Sequence, residues 1–171
     1  MSLFLFFSYF ISFSTLSKQV LSEKVKGEGT KLIAADLLDL KSPIEGIYFL
    51  KGDFTEPTIQ DKIKQYLGTS ERVVDLVLSD MAPNYSGDKR TDHERLIELA
   101  EEALRFSQQV LKKNGRFLCK ISRGGTENDF KKLLQSVYEK VSFVKPPASR
   151  QDSTEIYIYA AGYLSKSETL K

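Results

Sequence analysis

Continuously apolar runs alternate along the chain with segments in which apolar residues recur at helical spacing. The runs are typical of strands buried on both faces of a parallel sheet, and the spaced segments are typical of helices packed against it. The predicted strands span 30–38, 46–54, 72–80, 116–122, 141–145 and 154–163. The predicted helices span 16–29, 56–68, 91–115 and 127–140.

Local signals support two of these helices. Pro57 stands in the first turn of the second helix and Gly68 just beyond its end, as expected at helix boundaries. The third helix opens with Thr91 and Glu94 at capping-box spacing and stops at Asn114 and Gly115. The apolar face of this third helix carries Leu96, Ala100, Ala103, Leu104 and Leu111.

Repeated strand–helix–strand units predict one α/β domain over residues 1–171, with a mostly parallel sheet and helices on both faces. A short loop joins the last two strands, so we expect an antiparallel edge strand there. Residues 1–16 are atypical for such a domain, and residues 164–171 are expected to form a C-terminal tail.

The first thirteen residues, MSLFLFFSYFISF, form a run of aromatic and aliphatic side chains that is interrupted by serines and carries no charge. The first charge is Lys18, so the basic start of a signal peptide is missing. The apolar run is also shorter than the roughly 20 residues of a membrane-spanning helix. Because Phe, Tyr and Ile favour strands, we interpret the segment as a buried strand or a misassigned start, ahead of a secretory signal or a membrane anchor.

Composition narrows the functional classes. Hydrophobic residues make up 41% and charged residues 28%, which argues against disorder. The net charge of +2 neither requires nor excludes a nucleic-acid partner. Cys119 is alone and no Cys/His cluster is present, so we expect an intracellular protein that needs no metal. His93, the single histidine, is expected to be solvated near a helix start.

Four polar residues close predicted strands: Asp36, Asp53, Asp80 and Lys120. In doubly wound sheets, ligands bind beyond these carboxyl ends, where an acid often accepts hydrogen bonds from a ribose. Asp36 stands where that role requires, while Asp53 suits either an adenine amino group or a turn that begins the next helix. Lys120 should lie beside Asp80, with Glu155 approaching from the last strand, as a reactive site or as a buried ion-pair network.

Three segments, DLVLSDMAPNYSG, GRFLCKISRG and KPPASRQDSTEIYIYAAGY, resemble the FtsJ/RrmJ ribosomal RNA 2′-O-ribose methyltransferases in sequence, order and spacing. The resemblance extends from about residue 17 to residue 163. The segments TDHERLIELAEEAL and FLCK are more similar to the eukaryotic mitochondrial branch than to the bacterial one. The resemblance therefore implies a Rossmann-like methyltransferase fold and, by that branch, a mitochondrial location.

The family's activity implies a set of site residues in this chain. The family methylates a ribose 2′-hydroxyl, here expected on uridine of large-subunit ribosomal RNA, using S-adenosylmethionine and a Lys-Asp-Lys-Glu tetrad. Three tetrad members match Asp80, Lys120 and Glu155, with Lys120 as the proton acceptor. The implied cofactor-binding residues are Asp36 at the ribose, Asp53 at the adenine, and Leu37, Phe54, Asp80 and Met81 beside them.

The resemblance also implies partners. We expect the large ribosomal subunit and its RNA as the partner, no membrane association, and a monomer. Basic residues on the predicted face of the site could follow RNA phosphates, although each is also an ordinary solvated charge taken alone. They are Lys89, Arg90, Arg123, Lys145 and Arg150.

The N-terminal region departs from the family pattern. The first tetrad lysine lies upstream of the first strand in the family and has no counterpart here. In the same register, residues 3–7 occupy the first, central strand, while the glycines of the cofactor loop fall at Ile11 and Thr15. Side chains at those two positions predict weak affinity for S-adenosylmethionine. Two alternatives follow: a catalytically impaired RNA- or ribosome-binding relative, and a gene model or splice form whose true start restores both features.

Overall fold

The computed structural model describes residues 3–8, 31–39, 46–69, 71–145 and 153–164 of the chain. Its strands are β1 (Leu3–Ser8), β2 (Lys31–Asp36), β3 (Ile47–Lys51), β4 (Val74–Asp80), β5 (Leu111–Ser122), β6 (Tyr138–Val144) and β7 (Glu155–Tyr163). Its helices are α1 (Pro57–Leu67), α2 (Lys89–Val110) and α3 (Glu127–Gln135).

The strands form a single sheet in the order β3-β2-β1-β4-β5-β7-β6. The pairs from β3 through β5 are parallel, and β7 is antiparallel to both of its neighbours. The predicted mostly parallel sheet with antiparallel pairing at one edge is therefore confirmed. The structure adds that β6 is outermost and that the reversed strand, β7, lies one position inside it.

The opening residues form the central strand of the sheet, as the alignment with the family pattern predicts. β1 pairs with β2 on one side and with β4 on the other. Successive strands run outward from β1 through β2 to β3, and in the opposite direction from β4 to β5. The strand order thus reverses between β1 and β4, where sheets of this kind bind their ligands beyond the carboxyl ends.

Helices α1 and α2 lie side by side on one face of the sheet, where right-handed crossovers place them. The amide of Gln60 in α1 donates to Glu102 Oε1 in α2 at 2.9 Å. The predicted apolar face of α2 is buried, with Leu96 and Leu104 almost completely enclosed. The predicted helix over 16–29 lies outside the described residues.

The start of α2 differs from the capping box predicted at Thr91 and Glu94. The helix begins at Lys89, and the carboxylate of Asp88 accepts a hydrogen bond from the Thr91 amide at 2.7 Å. Glu94 instead pairs with Arg90 at 3.0 Å. Asp is as good an N-cap as Thr, so the earlier acid begins the helix three residues upstream.

Two predicted helix ends were also wrong. α2 ends at Val110, and Leu111 already pairs with Val74 as the first residue of β5, ahead of a register shift. α3 ends at Gln135, because Tyr138 pairs with Tyr163 and starts β6. Sheet pairing outweighs local helix propensity in both places.

Candidate functional site

Acidic residues that close strands meet at the carboxyl edge of the sheet. Ser8, the last residue of β1, is in register with Asp36 of β2 on one side and with Asp80 of β4 on the other. On β5, Cys119 is in register with Ser79, which places Lys120 one residue further along, beside Asp80. The edge where strand order reverses therefore collects the polar residues that the sequence singles out.

Lys120 and Asp80 form a buried ion pair at this edge. The Lys120 ammonium lies 3.3 Å from Asp80 Oδ1 and donates to the Asp80 backbone carbonyl at 3.0 Å. Each of the two side chains is only 3% exposed. Removing charges from water is costly, so such a pair persists only where further hydrogen bonds complete it.

Tyr157 completes this pair, and no role for it was predicted from the sequence. Its hydroxyl donates to Asp80 Oδ1 at 2.8 Å, and its backbone is directly in register with Lys120 across β5 and β7. Burial, together with the negative charge of Asp80, raises the pKa of Tyr157, so the hydroxyl keeps its proton. The available signal was the spacing of Glu155 and Tyr157, which point to the same face of a strand.

Glu155 lies close to this cluster but makes a different contact. It is in register with Ser122, and its Oε1 accepts a hydrogen bond from the Tyr85 hydroxyl at 3.2 Å. Lys120 is therefore paired with Asp80, while the second carboxylate expected to flank it is engaged by Tyr85. Burial and the Glu155 charge raise the pKa of Tyr85 to about 12, so this hydroxyl remains a donor in neutral solution.

The predicted cofactor residues divide into two groups. Asp36 is buried and accepts from the Leu38 amide at 2.9 Å, while Asp53 accepts from the Thr55 amide at 2.8 Å. In contrast, Phe54 and Met81 are each 1% exposed and belong to the hydrophobic core. Almost no surface of either residue is therefore available to a ligand in this structure.

A cavity of about 420 Å³ opens beside these residues. Asp53 and Leu37 line one wall, the loop after β4 lines a second, and α2 lines a third. The volume falls in the range of small-molecule and cofactor sites. Its lining residues are Leu37, Asp53, Thr55, Ala82, Pro83, Asn84, Arg95, Glu98, Leu99, Glu102 and Arg105.

The first turns of α2 hold the loop after β4 in place. Asp92 accepts hydrogen bonds from the Ser86 amide at 2.7 Å, the Ser86 hydroxyl at 2.8 Å and the Gly87 amide at 3.1 Å. The bond from the Ser86 amide is the main reason that the pKa of Asp92 is lowered. Arg95 donates to the Asn84 carbonyl at 3.3 Å. These hydrogen bonds fix the loop that carries Tyr85 to the first turns of α2.

His93 is buried rather than solvated, which corrects the expectation from the sequence. Its Nδ1 lies 2.9 Å from the Ser122 hydroxyl, and its Nε2 lies 2.7 Å from the Thr126 hydroxyl. The Thr126 amide donates to Nε2 at 3.2 Å, so Nε2 is unprotonated and Nδ1 carries the hydrogen. The ring therefore ties α2 to the loop after β5, a contact that helix periodicity alone does not reveal.

The predicted RNA-binding residues that the structure describes lie near this edge. Lys89 and Arg90 begin α2 directly after the β4 loop, Arg123 follows β5, and Lys145 follows β6. All four are exposed, and the Lys145 ammonium donates to the Ser153 carbonyl at 3.1 Å. Arg150 lies outside the described residues.

Neither a metal-binding cluster nor a membrane-spanning helix occurs among the described residues. Within the described ranges, no group of three or more His, Cys, Asp or Glu residues is arranged to hold a metal ion. In the same part of the chain, none of the helices has the length and apolar character needed to span a membrane.

Comparisons with known proteins agree with this geometry. The sequence model of the FtsJ-like methyltransferase family matches residues 18–163. The chain is 43% identical to ribosomal RNA large subunit methyltransferase E of Gluconobacter oxydans over 139 residues, which is 81% of the chain and 50% of that protein. Against the protein of the same name from Zymomonas mobilis it is 41% identical, over 81% of the chain and 61% of that protein. The chain thus spans about half to three fifths of the length of these relatives.

The structure of this chain is also similar to solved structures of other proteins. A Plasmodium falciparum protein assigned as a ribosomal RNA methyltransferase superposes with a TM-score of 0.81 at 24% identity, over 96% of this chain and 88% of that one. Human methyltransferase-like protein 13, solved in complex with SAH, gives a TM-score of 0.64 at 12% identity, over 97% of this chain and 74% of that one. At these identities the likeness shows the fold alone.

Proposed function

The chain belongs to the FtsJ-like methyltransferase family, and we propose that it transfers a methyl group from S-adenosylmethionine to a ribose 2′-hydroxyl of large-subunit ribosomal RNA. The observation that carries the proposal is the buried Lys120–Asp80 pair, completed by Tyr157 and situated where the strand order reverses. A purely structural ion pair has no need of this position, whereas a reaction at the ligand crevice does.

The residues around the crevice suit the proposed methyl donor. Asp36 closes β2 at the position from which a carboxylate can accept hydrogen bonds from ribose hydroxyls. Asp53 lies on the wall of the 420 Å³ cavity, within reach of an adenine-sized group. When bound, S-adenosylmethionine supplies an electrophilic methyl group on a positively charged sulfur.

The protein's part in the reaction is to position the ribose and accept its proton. In its neutral form, the Lys120 amine would take the proton of the 2′-hydroxyl as the oxygen bonds to the methyl carbon and the carbon–sulfur bond breaks, which leaves S-adenosylhomocysteine. The resulting ammonium is stabilised by Asp80, which Tyr157 holds in position. Glu155 and the basic residues around the edge would orient the RNA, and positioning supplies much of the rate for such a transfer.

The finer predictions remain part of this proposal. Uridine as the target base, a monomeric state and a mitochondrial location rest on the resemblance of the sequence. The relatives compared above are bacterial proteins and do not bear on the compartment. Large-subunit ribosomal RNA as substrate is supported by the names of those relatives.

The test is methyl transfer from radiolabelled S-adenosylmethionine to isolated large subunits and to their free RNA. A 2′-O-methylated ribose cannot be cleaved by alkali on its 3′ side, so label in alkali-resistant dinucleotides is the expected result. Lys120→Met, which keeps the aliphatic length, should give no label, whereas Lys132→Ala on exposed α3 should label normally. RNA binding without transfer would instead support the alternative of an RNA-binding module, and label on bases would contradict a ribose target.

A further inference from the structure

Tyr85 is a large aromatic residue that remains exposed beside the candidate active site. Its side chain is 58% exposed, and it stands five residues after Asp80 in the loop that follows β4. Its hydroxyl donates to Glu155 on β7, so the side chain reaches from the loop after β4 to the start of β7. Exposed aromatic rings at such a position are common platforms for flat ligands.

The ring is held in place at both ends. Asp92 accepts hydrogen bonds from Ser86 and Gly87, and Arg95 donates to the Asn84 carbonyl. The residues on either side of Tyr85 in the loop are therefore bound to α2. At the far end of the side chain, the Tyr85 hydroxyl donates to Glu155. A side chain that is already ordered loses little conformational entropy when a ligand covers it.

Comparison with a second exposed tyrosine shows what distinguishes Tyr85. Tyr66 on α1 is 44% exposed, but its ring stacks on Tyr48 with centroids 3.6 Å apart. In the described part of the chain, no other aromatic ring packs against Tyr85. The ring of Tyr66 is therefore covered by another ring, while more than half of the Tyr85 side chain is open to solvent.

The surroundings indicate the chemistry of the ligand. The exposed residues Lys89, Arg90 and Arg123 lie at the same edge of the sheet, where an anionic backbone can be accommodated. Single-stranded RNA combines such a backbone with unpaired bases that stack on aromatic side chains. We propose that Tyr85 is a stacking platform for an unpaired nucleobase of the RNA, at or next to the nucleotide whose ribose faces Lys120. This inference rests on the proposed function and adds a base-binding subsite to it.

Two substitutions separate the ring from its hydroxyl. Tyr85→Phe keeps the stacking face and loses the bond to Glu155, whereas Tyr85→Leu loses the face. Tyr66→Leu is the matched control, because it removes an exposed tyrosine remote from Glu155. Thermal unfolding and calorimetric titration with S-adenosylmethionine should be alike for the parent and both Tyr85 variants, since the ring is largely exposed.

The probe is a short single-stranded, uridine-rich RNA with one 2-aminopurine, whose fluorescence falls when the base stacks. We expect Tyr85→Leu to weaken RNA binding about tenfold to a hundredfold and to abolish the quenching. Tyr85→Phe should bind within about twofold of the parent and retain the quenching, as should Tyr66→Leu. In the transfer assay, Tyr85→Leu should act mainly by raising the KM for RNA.

Equal binding and quenching by Tyr85→Leu and the parent would overturn the stacking role. An equal loss in Tyr85→Phe and Tyr85→Leu would also overturn it, because the hydroxyl rather than the ring would then matter. Tyr85-dependent stacking without any methyl transfer would support the subsite while contradicting the proposed reaction. Transfer that does not depend on Tyr85 would support the reaction and contradict the subsite, and no RNA binding by the parent would contradict both.

Discussion

Gly124, in the loop after β5, packs directly against the ring of His93, which makes Gly124→Ala a sharp test of the structure. A methyl group at this position would lie 2.3 Å from His93 Cγ and 2.5 Å from Nδ1. Ordinary carbon contacts are about 3.5–4.0 Å, so the ring or the loop has to move by more than an ångström. The ring cannot move freely, because both of its nitrogens are hydrogen-bonded.

The magnitude follows from two contributions. Overpacking of a well-packed site typically costs about 1–3 kcal/mol. Displacing the ring also weakens its three hydrogen bonds to Ser122 and Thr126, each worth about 0.5–1.5 kcal/mol net, and the lower figure applies because both hydroxyl partners can reach water. We therefore expect Gly124→Ala to lower the free energy of unfolding by about 2.5–4.5 kcal/mol.

Urea denaturation followed by circular dichroism measures this change. With a slope of about 2 kcal/mol per molar urea, the midpoint should fall by about 1–2 M. His93→Ala is the matched background, because it removes the ring that the new methyl group meets. In that background the added methyl should cost less than about 1 kcal/mol, since it enters vacated space. Additive costs, or a Gly124→Ala variant as stable as the parent, would refute the packing of Gly124 against the His93 ring.

Four further predictions follow from the site. Lys120→Ala should abolish methyl transfer. It should also lower the free energy of unfolding, measured in urea, by about 3–5 kcal/mol, because Asp80 is left buried without its cation. Retained transfer would show that Lys120 takes no part in the reaction. Tyr157→Phe should lower kcat about tenfold through the lost bond to Asp80 and leave the affinity for S-adenosylmethionine unchanged in calorimetric titration, whereas an unchanged kcat would assign the bond to stability alone. Burial raises the pKa of Cys119 to about 12, so the thiolate is scarce at pH 8 and iodoacetamide should label Cys119 only in urea. Rapid labelling of the native protein would contradict the burial of Cys119. Calorimetry should also show weak binding of S-adenosylmethionine, strengthened when glycine replaces Ile11 and Thr15; low-micromolar binding by the parent would contradict the register assigned to these residues.

Much of the sheet could be predicted because its signals are local. Buried parallel strands read as continuous apolar runs, so β2, β3, β4 and the second half of β5 were predicted within a few residues. α1 was predicted equally well, since Pro57 and Gly68 mark its ends and Gly68 adopts the left-handed conformation there. The predicted strand ends also place Asp36, Asp80 and Lys120 at one edge of the sheet, because parallel strands end together.

Errors arose where a distant partner outweighed a local preference. The predicted third and fourth helices were both too long, because Leu111 and Tyr138 pair with other strands. His93 was expected in solvent, since its partners Ser122 and Thr126 are 29 and 33 residues away along the chain. Hydrophobic periodicity does not report such contacts, because it records only near neighbours.

The sequence by itself determined the α/β class and the residues that close the strands, because both follow from apolar periodicity and from the rule that parallel strands end at a common edge. The central position of the opening strand came from the resemblance to the family. Only the tertiary structure decided that Tyr157 holds Asp80 and that Tyr85 reaches Glu155, across 77 and 70 residues of chain. Such contacts depend on strand order and register, which the packing of the entire sheet sets.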